Sequence, residues 1–255
     1  MKSWKWKLER FFDPKSGRAV LLPLDHGVSE GSLPGFENPK TIFDVLKGCP
    51  IQGVILHRGM AQAYLQSIPP RLGLILHLSA GTRHGIPPYA KALVCSVPEA
   101  LRAGADAVSV HVNIGNDFED RMLADFGMVV EDAHQLGLPV LAMIYARGGQ
   151  IVNESDSSLV AHCIRLGAEI GADLIKVPYS GHKESFSRAV EHCPVPVIVA
   201  GGPRQADFAS FQAQLCEIME TGVRGVSIGR NIFQQTDPKA ALESVVKIVH
   251  GGANQ

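Results

Sequence analysis

Residues 157–177, SSLVAHCIRLGAEIGADLIKV, carry the pattern that decides the fold. From Ser157 to Ile170 the apolar residues recur about every 3.6 positions, which predicts an amphipathic helix. Gly171 follows, and glycine is the residue type that most often ends a helix. Leu174–Val177 is then a short apolar run, which is typical of a buried strand. A helix that leads through a glycine into a strand is one half of a parallel βαβ unit.

The same alternation runs along the whole chain and predicts eight strands. Eight strand–helix units in 255 residues favour a single (β/α)8 barrel, a TIM barrel, over an open doubly wound sheet. No GxGxxG motif follows the first strand, so a dinucleotide-binding sheet lacks its best marker. An additional short strand is expected at Lys91–Cys95, within the third unit. The predicted strands are Val20–Leu24, Gly53–His57, Leu74–Leu78, Ala107–Val112, Val140–Tyr145, Leu174–Val177, Val197–Ala200 and Gly225–Ile228, and the clearest predicted helices are Asp117–Leu136, Ser157–Ile170, Ala206–Glu220 and Pro238–Val249.

Composition and charge exclude several classes of protein. A formal net charge of -1 gives no basic excess, which disfavours a nucleic-acid-binding protein. No apolar run is long enough to span a membrane, and the N-terminus lacks the apolar segment of a signal peptide. The five cysteines are scattered, which is typical of reduced thiols in a cytoplasmic protein. We expect residues 1–255 to form one catalytic domain, with residues 1–19 as an N-terminal arm or helix that closes the bottom of the barrel.

Three predicted strands carry reactive side chains at their carboxyl ends, where the chemistry of such barrels lies. Asp25 follows the first strand, Tyr145 ends the fifth and Lys176 lies within the sixth. Because side chains alternate across a strand, each shares a face with the apolar residue two positions earlier. If those faces point inward, the three side chains meet at the mouth of the barrel.

Lys176 is the most informative residue, because a lysine inside an apolar strand is costly unless it is paired or used. Burial favours the neutral amine, and a neutral amine attacks a carbonyl carbon to form a Schiff base. Tyr145 and Asp25 are then candidates for the groups that move protons. The alternative is a structural ion pair between Lys176 and Asp25.

The loops after the last two strands indicate a phosphate site. Gly201 and Gly202 follow the seventh strand, and Gly229 and Arg230 follow the eighth. Glycine lets backbone N–H groups approach an anion, and arginine adds charge and donors. Loops at these two strands form the usual phosphate site of the barrel, although a single Gly-Gly pair could also serve a tight turn.

Four further polar residues near the strand ends are candidate substrate or phosphate contacts: His26, Ser79, His111 and Arg147. Ser79 and His111 could equally be hydrogen-bond partners that fill the barrel interior. Histidines in this region raise the question of a divalent metal. Carboxylates are scarce near them and a lysine already supplies the electrophile, so we expect no metal and no other cofactor.

Five segments together resemble the archaeal-type class I fructose-bisphosphate aldolases and their DeoC/FbaB-like relatives. The match follows the order of the chain over nearly its whole length. The resemblance implies a (β/α)8 barrel with a Schiff-base lysine at Lys176, a catalytic tyrosine at Tyr145 and an aspartate at Asp25. It also implies phosphate-binding glycines and arginine in the last two loops, and a homo-oligomer, commonly a decamer. The segments are Pro23–Val28, Tyr145–Gly148, Ala172–Lys176, Ala200–Pro203 and Gly229–Phe233.

Two other segments point to one branch of this family. Residues 77–82, HLSAGT, and 108–113, VSVHVN, are most similar to 2-amino-3,7-dideoxy-D-threo-hept-6-ulosonate synthase. That enzyme passes a three-carbon enamine from a deoxyketohexose phosphate to aspartate semialdehyde. Fructose-bisphosphate aldolases of this type usually have tryptophan where this chain has Met143. Ala146 stands where both groups typically have proline, which changes the loop that leads to Arg147.

The expected function is therefore a Schiff-base aldolase or transaldolase-type enzyme for a phosphorylated ketose, similar to the heptulosonate synthase. One alternative is a class I fructose-bisphosphate aldolase, and another is an aldolase that joins dihydroxyacetone phosphate to aspartate semialdehyde. A barrel isomerase or lyase that uses the same lysine is a further enzyme class, and a sugar-phosphate sensor is the non-enzymatic alternative. The intact trio of Asp25, Tyr145 and Lys176 argues against the sensor, which has no need of a lysine in that strand.

Overall fold

Eight parallel strands form a closed barrel in the computed structural model, which describes residues 3–251. Each strand pairs with the barrel strands before and after it, and the eighth pairs with the first. The predicted (β/α)8 barrel is thus confirmed, and strand ends differ from the prediction by one or two residues. The barrel strands are β1 Ala19–Pro23, β2 Gly53–His57, β3 Gly73–His77, β4 Ala107–Ile114, β5 Val140–Ala146, β6 Leu174–Val177, β7 Val197–Ala200 and β8 Gly225–Ser227.

The additional strand is shorter than predicted and does not join the barrel. Ala92–Leu93 pairs antiparallel with Ser79–Ala80, so the two short strands form a hairpin between β3 and β4. Residues 81–91 connect them at the carboxyl end of the barrel. The prediction of Lys91–Cys95 was therefore right about an extra strand and wrong about its length, since the strand spans only Ala92–Leu93.

Helices follow the barrel strands and cover the outside. The longer ones begin and end at recognisable caps: the Asp156 side chain accepts hydrogen bonds from the backbone N–H groups of Ser158 and Leu159, and Gly171 ends the same helix with a φ of 110°. Among residues 3–251, no helix is long and apolar enough to cross a membrane. The helices are α1 Ser3–Glu9, α2 His26–Glu30, α3 Pro39–Leu46, α4 Arg58–Tyr64, α5 Val97–Arg102, α6 Glu119–Gln135, α7 Ser157–Ile170, α8 Lys183–Glu191, α9 Phe208–Met219, α10 Arg230–Phe233 and α11 Pro238–Gly251.

Apolar side chains fill the barrel interior at the amino ends of the strands. Phe11 and Phe12, between α1 and β1, pack into one cluster with inward-facing side chains such as Leu174. Gly53 and Gly73 leave the room that this packing needs, because a Cβ atom there would lie 3.0 and 2.3 Å from ring carbons of Phe11. The bottom of the barrel is therefore a packed apolar plug.

Helix α1 is held against the outside of this end by one polar cluster. Trp4 Nε1 donates to Asp173 Oδ1 at 2.9 Å, and the Trp4 ring stacks on His134 at a centroid distance of 4.6 Å. His134 Nε2 lies 2.8 Å from the other oxygen of Asp173, which also accepts the backbone N–H of Val140. A single carboxylate thus ties α1 to α6 and to the start of β5.

Candidate active site

A cavity of about 400 Å³ opens at the carboxyl ends of the barrel strands. It brings together Asp25, which follows β1, with Tyr145 on β5 and Lys176 on β6. The four further candidate contacts, which are His26, Ser79, His111 and Arg147, also line this cavity, and so does Arg230. The full lining is Asp25, His26, Ser29, Glu30, His57, His77, Ser79, Ala80, Gly81, Arg83, Pro88, Lys91, His111, Met143, Tyr145, Arg147, Lys176 and Arg230.

Lys176 rises from the floor of this cavity. Leu174, two residues earlier on β6, belongs to the apolar plug, so the inward face of the strand changes from apolar to reactive within two residues. The Lys176 side chain is buried, with 6% of its surface exposed, and its Nζ lies 4.0 Å from the sulfur of Met143 on the paired strand. A buried amine beside a thioether and the cavity is positioned to meet a carbonyl carbon.

Asp25 does not form the direct ion pair with Lys176 that the sequence left open. Its ion-pair contact among the described residues is with His26, whose Nδ1 lies 3.8 Å from Oδ1. Burial alone raises the pKa of Asp25, but His77 and His26, which are protonated at the acid pH where this carboxyl titrates, and the charge of Lys176 outweigh burial and lower that pKa to about 2. Asp25 is therefore an ionised carboxylate near neutral pH and can accept a proton or a hydrogen bond.

The histidines of the cavity are neutral near pH 7. Burial lowers the pKa of His77 to about 4 and the pKa of His111 to well below its usual value. Burial also lowers the pKa values of His26 and His57. His77 Nδ1 lies 2.8 Å from the Ser109 hydroxyl, which fixes its ring. Neutral imidazoles offer hydrogen bonds without adding charge. Within residues 3–251 no three His, Cys, Asp or Glu side chains are arranged to hold a metal ion.

Tyr145 lies between an imidazole and a guanidinium group. Its ring is tilted against His111 at a centroid distance of 4.9 Å, and Arg147 Cζ lies 4.4 Å from its centroid. Arg147 Nε also donates to Glu154 at 2.8 Å. The ring is thus held by two neighbours, while the Tyr145 hydroxyl has no hydrogen-bond partner among residues 3–251 and remains available to a ligand.

A second network fixes the wall formed by β4. The Ser79 hydroxyl accepts the backbone N–H of His111 at 2.8 Å, and His111 Nε2 lies 2.9 Å from Asn113 Oδ1. Asn113 Nδ2 in turn donates to the carbonyl oxygen of Tyr89 at 2.6 Å. Ser79 and His111 are therefore hydrogen-bond partners in the barrel wall, and they also line the cavity; their contact with substrate stays a prediction.

The residues predicted to bind phosphate fall into two groups. Arg230 lines the main cavity, where its Nη1 lies 3.4 Å from Glu30 Oε1. Gly229 adjoins the same cavity, because a Cβ atom there would lie 2.8 Å from His26 Cε1. Gly201 and Gly202 instead line a neighbouring cavity of about 230 Å³ beside α9.

Asn231 links the two loops that were predicted to bind phosphate. Its side-chain amide donates to the carbonyl oxygens of Gly201 and Pro203 at 2.8 and 2.9 Å, and its Oδ1 accepts the backbone N–H of Gln205. Gly202 has a φ of 68°, which favours glycine. The loops after β7 and β8 are therefore one rigid unit at the edge of the active-site cavity.

Lys91 is a charged residue of the cavity that the strand-end analysis missed. It lies in the loop before Ala92–Leu93, and its Nζ donates to the carbonyl oxygen of Gly81 at 3.3 Å. Burial, and the nearby charge of Arg147, lower its pKa. The sequence placed it at the start of the predicted extra strand Lys91–Cys95, but the strand begins at Ala92, and only the folded hairpin shows that the loop with Lys91 borders the cavity.

Three comparisons with known proteins, by family model, by sequence and by structure, all relate this chain to aldolases and similar synthases. The family model described as DeoC/LacD family aldolase matches residues 19–235. The chain is 37% identical over 249 residues to a 2-amino-4,5-dihydroxy-6-oxo-7-(phosphonooxy)heptanoate synthase of Streptomyces griseus, covering 98% of this chain and 91% of that protein. It is 38% identical over 237 residues to a 2-amino-3,7-dideoxy-D-threo-hept-6-ulosonate synthase of Halobacterium salinarum, covering 93% and 88%. A solved archaeal fructose-1,6-bisphosphate aldolase, with its catalytic lysine bound to a carbinolamine intermediate, matches with a TM-score of 0.89 and 30% identity over 96% of this chain and 99% of that chain.

Proposed function

Because the chain belongs to the DeoC/LacD family of aldolases, we propose that it joins a three-carbon ketone, held as an enamine on Lys176, to aspartate semialdehyde. The observation that carries this proposal is the buried Lys176 amine at the floor of a cavity that also contains Asp25 and Tyr145. Such an amine, without an ion-pair partner among residues 3–251, is suited to attack a ketone. The relatives of this family are class I aldolases and synthases, so the chemistry belongs to a known class.

The names of the two similar synthases support the choice of acceptor. Both names describe a seven-carbon acid with an amino group on C2, hydroxyls on C4 and C5 and a carbonyl group at C6. An aldol disconnection between C4 and C5 gives a four-carbon 2-amino acid aldehyde, which is aspartate semialdehyde, and a three-carbon ketone. The two products differ at C7, which carries a phosphate in one name and is deoxygenated in the other. The acceptor is therefore shared, and the donor is the variable part.

The reaction starts with the donor ketone. Lys176 Nζ adds to the carbonyl carbon, and the carbinolamine loses water to give an iminium ion. Asp25, ionised at neutral pH, stabilises this positive charge and accepts a proton from the adjacent carbon, which leaves a neutral enamine. With a deoxyketohexose phosphate as donor, its iminium ion loses a hydroxyl proton instead, the carbon–carbon bond breaks, a three-carbon aldehyde that carries the phosphate is released, and the enamine stays on Lys176.

The second half of the reaction makes the new bond. The enamine carbon attacks the aldehyde carbon of the acceptor, which regenerates the iminium ion and creates an alkoxide. The free hydroxyl of Tyr145 gives its proton to that alkoxide and recovers one from Asp25. Water then hydrolyses the iminium ion and releases the product from Lys176.

When the three-carbon donor carries a phosphate group, we expect that group near Arg230. The guanidinium group reaches into the cavity from the start of α10, beside Gly229, and its Nε is buried without a partner among residues 3–251. A phosphate there needs Arg230 to share or release its contact with Glu30. Gly201 and Gly202 hold the adjoining loop in the required shape.

The experiment that tests the proposal supplies the purified protein with aspartate semialdehyde and one donor at a time. Dihydroxyacetone phosphate and a deoxyketohexose phosphate are the two donors, and product is followed by mass spectrometry. We expect a seven-carbon product with one donor, and its mass shows whether C7 is phosphorylated. The Lys176→Met variant is the control and gives no product.

The second candidate function is cleavage of fructose 1,6-bisphosphate. It is favoured by the likeness to the archaeal aldolase structure and by positive charge on two sides of the cavity. It is tested in a coupled assay for triose phosphate. Efficient cleavage without any seven-carbon product would replace the proposed function, and ligand binding without turnover of any substrate would support the sensor.

Assembly of several copies stays a prediction from the family resemblance. Exposed apolar side chains lie around one surface depression, where 54% of Val94 and 51% of Met128 are exposed. Light scattering of the purified protein measures the number of subunits, and a monomer would contradict the prediction.

A further inference from the structure

Lys91 is a second amine in the active-site cavity, and the mechanism above does not use it. It stands in the loop of residues 81–91, which the Asn113 amide fastens to β4 through the carbonyl oxygen of Tyr89. The side chain lies across Gly81, where an added Cβ atom would meet its Cδ at 3.1 Å and its Nζ at 3.3 Å. The lysine is thus held in one position by its own hairpin.

The ammonium group of Lys91 has no carboxylate beside it among residues 3–251. Its hydrogen bond goes to a neutral carbonyl oxygen, that of Gly81. The charged groups that act on it are Arg147, which repels it, and Asp25, which attracts it more weakly. A partly buried cation without a counter-ion is costly, and an anion from solution would satisfy it.

The position of Lys91 separates it from Arg230. Its hairpin lies between β3 and β4, whereas Arg230 follows β8, and in the order of the closed barrel β4 lies opposite β8. Lys176 on β6 and Asp25 after β1 lie between these two sides. A donor on Lys176 with its phosphate towards Arg230 leaves the side of Lys91 and Arg147 for the acceptor.

We propose that Lys91 binds the anionic end of the aldehyde acceptor and so sets the enzyme's preference for charged acceptors. This inference rests on the proposed function and names the group that recognises its second substrate. For aspartate semialdehyde the anion is the α-carboxylate. A triose phosphate acceptor would present a phosphate to the same ammonium group, and Arg147, which is paired with Glu154, completes this side of the cavity.

The experiment compares acceptors in four proteins: wild type, Lys91→Met, Lys91→Arg and the control Lys239→Met. Lys239 is an exposed lysine on α11 with a carboxylate neighbour, Glu243, at 3.9 Å. The donor is the one that yields product in the assay above. The acceptors are aspartate semialdehyde, glyceraldehyde 3-phosphate and uncharged butanal, and the rate of hydrogen–deuterium exchange on the donor measures enamine formation alone.

For Lys91→Met we expect kcat/KM with the preferred charged acceptor, aspartate semialdehyde or glyceraldehyde 3-phosphate, to fall by about 10- to 100-fold. This is the loss expected when a charge-assisted hydrogen bond is removed. Its kcat/KM for butanal and its donor exchange match those of Lys239→Met, and Lys91→Arg recovers most of the loss. A greater loss with aspartate semialdehyde than with glyceraldehyde 3-phosphate identifies the carboxylate as the natural anion, and the reverse order identifies a phosphate.

Two results would overturn the inference. An equal loss with butanal would make Lys91 a structural residue, and a loss of donor exchange would make it a donor contact. Failure of the proposed function looks different, because the wild type and Lys239→Met would then show neither donor exchange nor product with any acceptor.

Discussion

The two ends of the barrel are made by the same eight strands, yet they have opposite chemistry. At the amino end the interior holds the rings of Phe11 and Phe12 against glycines and aliphatic side chains. At the carboxyl end it holds an amine, a carboxylate and neutral imidazoles around a cavity. On β6 the change takes two residues, from Leu174 to Lys176, a rise of about 7 Å.

Stability and reactivity are therefore separated along each strand. Burial of the apolar plug stabilises the closed barrel. The polar end offsets part of this stabilisation, because burying charged groups costs free energy. Substitutions at the carboxyl end should therefore reduce turnover with little loss of stability. Substitutions at the amino end should do the reverse.

The largest expected effect is that of Lys176→Met. Without the amine no Schiff base forms, so we expect kcat to fall by about 10⁴-fold or more. The free energy of unfolding should stay the same or rise, because an apolar side chain of similar length replaces a buried amine. Turnover and urea unfolding are measured on the same sample, with Leu174→Ala as the partner variant that loses stability. Normal turnover in Lys176→Met would refute the mechanism.

Tyr145→Phe should have the next largest effect on activity. It removes one hydroxyl and keeps the ring contacts with His111 and Arg147. We expect kcat to fall by about 10²- to 10⁴-fold, the usual contribution of a general acid or base, while the Schiff base still forms. Unchanged kcat would assign the proton transfer to another group.

Phe11→Ala tests the other end of the barrel. Removing a fully buried ring beside Gly53 and Gly73 should lower the free energy of unfolding by about 3–5 kcal/mol. The kcat/KM of the folded protein should stay close to that of the wild type, because Phe11 lies at the amino end of the barrel and does not line the cavity. Denaturant unfolding gives the first quantity and the aldol assay gives the second. A large loss of kcat/KM at denaturant concentrations well below the unfolding transition would show that the two ends of the barrel are coupled.

Acid should destabilise the carboxyl end in two steps. His77 binds a proton at about pH 6.5 when unfolded and at about pH 4 when folded, so stability falls by about 3 kcal/mol as the pH drops between these values. The pKa of Asp25 is 3.8 in the unfolded chain and about 2 in the folded protein. Protonation of Asp25 therefore lowers the free energy of unfolding by about 2 kcal/mol more as the pH drops between these values.

Urea unfolding between pH 7 and 4 checks the first step. The other cavity histidines act in the same direction, so His77→Gln should reduce the slope without abolishing it. The same slope in wild type and variant would show that the pKa of His77 is not depressed by folding.

The fold was predictable because each strand is a short apolar run bounded by turn residues, as at Leu174–Val177. The strand ends were less predictable, and β4 extends to Ile114 because its last residues pair with β5. Asp25, Tyr145 and Lys176 could be named from the sequence because strand direction and alternation alone bring them to one end. The roles of these residues remain predictions.

What the sequence could not give depends on loops and on distances. Lys91 reaches the cavity from a hairpin whose pairing involves only two residues on each side, so no strand pattern announced it. The choice between an ion pair and a free amine at Lys176 depends on the position of Asp25, which periodicity does not determine. Gly201 and Gly202 line a separate cavity beside α9, a position that depends on the path of the loop after β7.

The central claim is that Lys176 forms the Schiff base, and trapping with borohydride tests it most directly. The protein is incubated with dihydroxyacetone phosphate or fructose 1,6-bisphosphate, reduced, and analysed by intact mass and peptide mapping. We predict one adduct, on the peptide that contains Lys176, and none on Lys176→Met. An adduct on Lys91 instead, or an active enzyme that is trapped by none of its substrates, would contradict the claim.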